Sequence, residues 1–120
     1  MDYIECDLGK YPLVFSLSTL RMLEEKYGTY SAWYKKISET SGENIGDLTF
    51  LLMHMINTGF AKLAFGTHQE PTAVKQFEAE MILEDFGVAD GVELMFDVVK
   101  KSAPKVSKNV NATGNQKPFP

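Results

Sequence analysis

Cys6, His54, His68 and several helically spaced carboxylates are the residues of this chain that could do chemistry. A thiolate nucleophile needs a basic partner or a helix N-terminus to lower its pKa. Cys6 lies in a run of β-formers with neither nearby, so it reads as a small strand residue. A metal centre needs several Cys, His or carboxylate ligands at regular spacing. The two histidines fall on a helical pattern and a loop pattern and make no such set, and His54 reads as a hydrogen-bonded structural residue. Asp85-Phe86-Gly87 spells a kinase tripeptide, but no glycine-rich loop or catalytic loop accompanies it. It reads as a helix end followed by a glycine. There is no phosphate-binding glycine loop either. The expectation is a chain with no catalytic residue, no cofactor and no metal.

Glu24 and Glu25, and then Glu78, Glu80, Glu84 and Asp85, fall at helical spacing. Such carboxylates form a solvated face or an acidic surface that docks a basic partner. Binding is therefore the chemistry to look for, and the apolar residues point the same way. FLLMHMINTGFAKLAF, from Phe50 to Phe65, is the most apolar stretch. It is shorter than the roughly 20 residues of a spanning helix and carries His54, Asn57 and Lys62, which argues against a membrane segment. On a helical wheel Leu48, Leu52, Met53, Met55, Ile56, Gly59, Phe60, Leu63 and Ala64 share one broad apolar arc. Phe50, Leu51, Ala61 and Phe65 lie outside it, Phe50 and Phe65 on the side shared with His54 and Asn57. The expectation is a central core helix whose periphery also meets a partner. Flexible methionines suit such a surface. Phe50, Met53, Phe60 and Phe65, with Glu78 and Asp85 on the acidic helix, are the candidate partner-binding residues. Gly59 within the arc implies a kink or a close helix approach.

The elements around this helix follow from pattern. Tyr3–Cys6 and Tyr11–Phe15 read as a hairpin turning through Asp7 to Lys10, with Pro12 on an edge or strand start. Ser16 or Ser18 can cap a first helix that runs to Tyr27, with Leu20, Leu23 and Tyr27 inward and Gly28 past its end. A second runs from Ser31 to about Glu39, burying Trp33, Tyr34 and Ile37, and Thr40-Ser41-Gly42 ends it. The central helix is entered near Asp47. A fourth starts at Pro71, with Val74, Phe77 and Met81 as its stripe. A fifth is capped by Asp90 with Glu93, presents Val92, Met95, Phe96 and Val99, and stops at Pro104. The fold class is mainly α with some β: about five helices, an N-terminal β-hairpin and a disordered C-terminal tail. Residues 1–103 read as one helical domain and 104–120 as a flexible polar tail.

Bulk properties narrow the function. The 120 residues carry a net charge of −4 and 44% hydrophobic residues, an ordinary globular balance without the basic face of a nucleic-acid module. A lone cysteine and the lack of a secretory pattern suit a reducing cytosol.

The order of elements resembles the tail assembly chaperones of long-tailed phages and prophages, over roughly Tyr11 to Ser102. Its carriers are YPLVFSLSTLRMLEEKYG, an aromatic-containing short helix, DLTFLLMHMINTGFAKLAFG, and the amphipathic pair around EDFGVADGVELMFDVVKKS. The resemblance implies a non-catalytic protein of the bacterial host cytoplasm that binds the tape measure protein before the tail tube forms around it. It also implies a longer product, made by programmed frameshift, that recruits the tail tube protein. A homo-oligomer is compatible with it. The rival reading is a small cytosolic adaptor or regulatory domain unrelated to phage, whose acidic helices dock a basic partner.

Overall fold

The computed structural model describes the backbone of residues 1–39 and 44–114; side chains are described within these except at residue 30, residues 38–39 and beyond residue 102. Two strands, β1 (Asp2–Cys6) and β2 (Gly9–Leu13), precede five helices: α1 (Leu17–Tyr27), α2 (Tyr30–Glu39), α3 (Ile45–Thr67), α4 (Gln76–Phe86) and α5 (Val88–Gly114). The fold is mainly α with an N-terminal antiparallel hairpin, as the pattern implied. The expected end of α2 at Thr40-Ser41-Gly42 lies outside the described residues.

The hairpin turns in two residues, Asp7 and Leu8, with Cys6 opposite Gly9 and Tyr3 opposite Pro12. Its inward residues, Ile4 and Leu13, are fully buried against the helices. This packing stabilises a unit that is marginal alone. Pro12 is tolerated because each strand of a two-stranded sheet has a free edge. The chain leaves β2 by donating the Val14 N–H to the Met55 carbonyl in mid-α3, at 3.2 Å. Gly59, one turn further along α3, makes this approach feasible. A Cβ there would lie 2.6 Å from the Pro12 Cβ and 3.2 Å from its carbonyl carbon. The close neighbour implied by Gly59 is thus a strand rather than a helix.

Leu48, Leu51, Leu52, Met55 and Ile56 of α3 are buried in one core with Leu23, Trp33, Ile37, Leu83, Met95 and Val99. Leu51 was expected outside the buried arc. It is covered because neighbours surround the N-terminal half of α3 on more than one side. Leu63 was expected inside the arc but is 42% exposed, while the adjacent Ala64 is buried, so the covered side of α3 is narrower there than the apolar arc. α3 has 23 residues and is long and apolar enough by composition to cross a bilayer. Here its most apolar side faces the hairpin and the other helices.

Ser16 precedes α1 and donates its N–H to Thr19 Oγ1 at 3.3 Å. Gly28 ends the helix with positive φ, its N–H bonded to the Glu24 carbonyl. α1 lies antiparallel to α3: the Tyr27 hydroxyl donates to Asp47 Oδ1 at 2.5 Å, and the Lys26 ammonium sits 4.8 Å over the Phe50 ring. α2 meets α5 through rings, with Trp33 and Tyr34 centred 6.2 and 5.6 Å from Phe96. Such pairs add to the value of the area they bury.

Several boundaries differ from the sequence reading: β2 spans Gly9–Leu13 rather than Tyr11–Phe15, because the turn closes in Asp7-Leu8 and Gly9 and Lys10 join the ladder. α4 begins at Gln76 rather than at Pro71. Asn57 donates to the Val74 carbonyl at 3.0 Å and accepts the Val74 N–H at 2.7 Å. Those bonds occupy both backbone groups a helix through Val74 would need, and Glu78 then accepts the Lys75 N–H at the true start. The inward stripe of α4 is Ala79, Ile82 and Leu83, so the expected core residues Phe77 and Met81 face outward. α5 starts at Val88, which places Asp90 in its first turn rather than at its cap, and continues to Gly114. Proline removes one helical bond and crowds the preceding turn, but residues beyond it regain their bonds. Pro104 therefore penalises the helix without ending it. The segment read as a tail divides accordingly: backbone to Gly114 continues α5, and residues 115–120 lie outside the described residues.

Gly59→Ala should lower the unfolding free energy by about 1–3 kcal/mol, the usual cost of overpacking, despite the better helix propensity of alanine. Gly66→Ala, on the same helix with nothing within 4 Å of the added carbon, should raise it by about 0.5–1 kcal/mol. Urea denaturation of the two variants checks the contrast.

Candidate partner-binding surfaces

Residues of α2, of the start of α3 and of α5 line an open cleft of about 630 Å³. Tyr34 and Ile37 come from α2, Leu48 from α3, and Val92 and Phe96 from α5. These are the same residue types that pack the core, set at positions where the third neighbour is missing. Exposed Ile45 and Val88 border the opening, and Lys100 supplies a cation. Asn44 is the polar residue within. Its side-chain amide donates to the Ile37 carbonyl at 3.1 Å, while its buried Oδ1 meets no hydrogen-bond partner among the described residues. A cleft of this size and lining suits an apolar helix face or a cluster of apolar side chains.

The six residues singled out from sequence do not form one surface. Phe50 is half-buried beneath Lys26. Met53 and Phe60 pack on the core, Phe60 edge-on to Tyr11 at 6.3 Å. Phe65 is 83% exposed at the far end of α3. Fifteen helical residues separate Phe50 from Phe65, about 22 Å along the axis. Glu78 serves the start of α4, and Asp85 accepts the Leu8 N–H of the hairpin turn at 3.3 Å. The residues of the cleft itself were read as core or passed over. Their period is that of core residues, and no sequence signal separates a filled apolar site from an empty one.

Three titratable groups, Cys6, His54 and Tyr27, depart from their ordinary values. Burial pushes the Cys6 thiol upward, and Asp85 adds to this against backbone N–H groups that lower it. The half-buried thiol is thereby kept from the thiolate form. Burial, with a smaller contribution from the Arg21 charge, holds His54 below the ordinary imidazole value. Its Nε2 is buried and meets no hydrogen-bond partner among the described residues, against the expectation of a hydrogen-bonded histidine. A neutral ring tolerates this better than a charged one. Tyr27 is raised strongly, first by burial and then by its bond to Asp47 and the carboxylate charge. Lys36 stands 3.9 Å from the other Asp47 oxygen, so one carboxylate at the start of α3 links α1 and α2. Among the described residues no group of His, Cys, Asp and Glu could hold a metal ion.

Compared with protein-family models, curated proteins and solved structures, the chain matches none.

The Tyr27 hydroxyl must keep its proton to donate to Asp47. Its contribution is complete below the unfolded pKa of about 10 and is lost as pH rises from there through the raised folded value. Stability should fall faster between pH 10 and 11 in the wild type than in Tyr27→Phe. Below pH 9 the variant should be less stable by about 1.5–3 kcal/mol, the worth of a hydrogen bond to a charged group. Chemical denaturation across this pH range measures both.

Proposed function

We propose that the chain is a tail assembly chaperone of a long-tailed phage or prophage. It acts without catalysis, holding the tape measure protein soluble until tube subunits arrive. The observation that carries this reading is the open apolar cleft between α2, α3 and α5 on an acidic body. A tape measure protein is long and helical, and its apolar stripes aggregate in water unless covered. A cleft built of Tyr34, Leu48, Val92 and Phe96 covers such a stripe, while the net negative charge keeps the complex soluble. The order of hairpin, capped helix, aromatic helix, long apolar helix and amphipathic pair agrees with the resemblance seen in sequence. In this reading a longer, frameshifted product recruits the tail tube protein. A slippery heptamer near the 3′ end of the gene, followed by an overlapping open frame, distinguishes the chaperone from an adaptor of the host cytoplasm.

Val88→Asp tests the cleft. The residue is exposed at the first position of α5, where a carboxylate suits the helix dipole and the fold should hold. A charge at the rim must be desolvated by any apolar stripe that binds. On co-expression with the tape measure protein, its soluble yield should fall about tenfold, as expected for a loss of about 1.4 kcal/mol in binding, with the variant's melting temperature nearly unchanged. Wild-type yield with Val88→Asp and loss with Phe65→Ser would move the binding surface to the far end of α3.

A further inference from the structure

Helix α4 turns an apolar pair toward solvent. Phe77 and Met81, one turn apart, are 53% and 50% exposed. Burial of Ala79, Ile82 and Leu83 satisfies the inward side of the helix without them. At about 100° per residue, Glu80 and Glu84 border the pair on one side and Glu78 and Asp85 on the other. No Lys or Arg occurs from Gln76 to Phe86. The two borders differ in their ties. Glu78 and Asp85 are anchored by the backbone N–H groups of Lys75 and Leu8. Glu80 and Glu84 are exposed and, among the described residues, engaged by no hydrogen bond or ion pair.

We propose that this face docks a basic amphipathic helix of a protein partner, with its apolar stripe on Phe77 and Met81 and its lysines or arginines on the flanking carboxylates. Charge decides the class of partner. A helix without cations would partly desolvate carboxylates on both borders and return no opposite charge. An anionic lipid surface would be repelled by the same carboxylates. A helix with cations on both edges of its apolar stripe matches the face in both respects. The cleft between α2, α3 and α5 has different chemistry, with apolar walls and Lys100, so the two surfaces select different sequences. This inference does not rest on the chaperone reading, since it concerns the pattern of the helix and not its source.

The test uses the full chain and two labelled synthetic helices. Both carry the same leucine stripe; one is flanked by lysines and the other by glutamates. Fluorescence anisotropy measures affinity, and amide NMR shifts of the wild-type protein locate the binding. The lysine helix should bind the wild type, with shifts centred on Phe77 to Asp85. The double variant Glu80→Lys with Glu84→Lys changes two solvent-exposed positions. It should bind the lysine helix about tenfold more weakly or worse and gain affinity for the glutamate helix, as charge swapping requires. The proposal is overturned by equal wild-type affinity for the two helices, by binding of neither, or by shifts confined to the cleft. A folded double variant that binds as the wild type does overturns it as well. The wild-type comparison and shift map decide the matter even where the variant fails to fold.

Discussion

At Gly59 the ring and backbone of Pro12 in β2 lie directly on α3, which presents no side chain there, and the placement of the hairpin follows from that contact. It lets the Val14 N–H reach a carbonyl in the middle of a helix and places Pro12 where a Cβ at position 59 would stand. The hairpin then becomes a lid over α3, with Ile4 and Leu13 completing the core from above. With one flank of α3 closed by a strand pair, the helices gather around the remaining sides. The cost is that of a glycine within a helix, roughly 1 kcal/mol relative to alanine, a small term beside the burial of several large apolar side chains.

The other contacts around α3 are polar and placed at its margins. Asp47 receives the Tyr27 hydroxyl from α1 and faces Lys36 of α2. Asn57 holds the chain between α3 and α4 through both backbone groups of Val74. Gln76 reaches the Gly46 carbonyl and the Thr49 hydroxyl from the first turn of α4. Packing supplies most of the stability of such a core but is tolerant of small rotations; directed bonds of this kind fix which rotation is adopted. One consequence is the outward turn of Phe77 and Met81. The open cleft lies beside the ring contact of α2 with α5, its walls made of core-like residues of α2, α3 and α5. Apolar surface left open in this way, on a body that is acidic overall, is what a binding protein requires and what a purely structural core avoids.

Much of the architecture was legible in the order of residues. Ser16 before an amphipathic run, Gly28 after it and Gly87 between two further runs are local signals, and each fixes a boundary through backbone chemistry that needs no distant partner. The hairpin pattern and the burial of Leu23, Leu52, Ile56, Met95 and Val99 likewise follow from period. The start of α4 could not be read this way. Pro71 is a fair start signal, but Asn57, fourteen residues earlier than Pro71, claims the backbone of Val74. The choice between the two stripes of α4 was equally closed to pattern, because Val74-Phe77-Met81 and Ala79-Ile82-Leu83 both have helical spacing.

The sequence by itself determined that this chain is a mainly helical, acidic protein with a hairpin at its start and a long apolar helix within. Those properties depend on composition, capping and period, which act over a few residues. Only the tertiary structure decided which faces close and which stay open. It placed a strand rather than a helix on Gly59, buried Leu51, exposed Leu63 and Phe65, turned Phe77 and Met81 outward, and left the cleft lined by α2, α3 and α5 open. Each of these depends on whether a neighbour from a distant part of the chain arrives at a given side of a helix. An apolar side chain carries the same local pattern whether or not that neighbour comes.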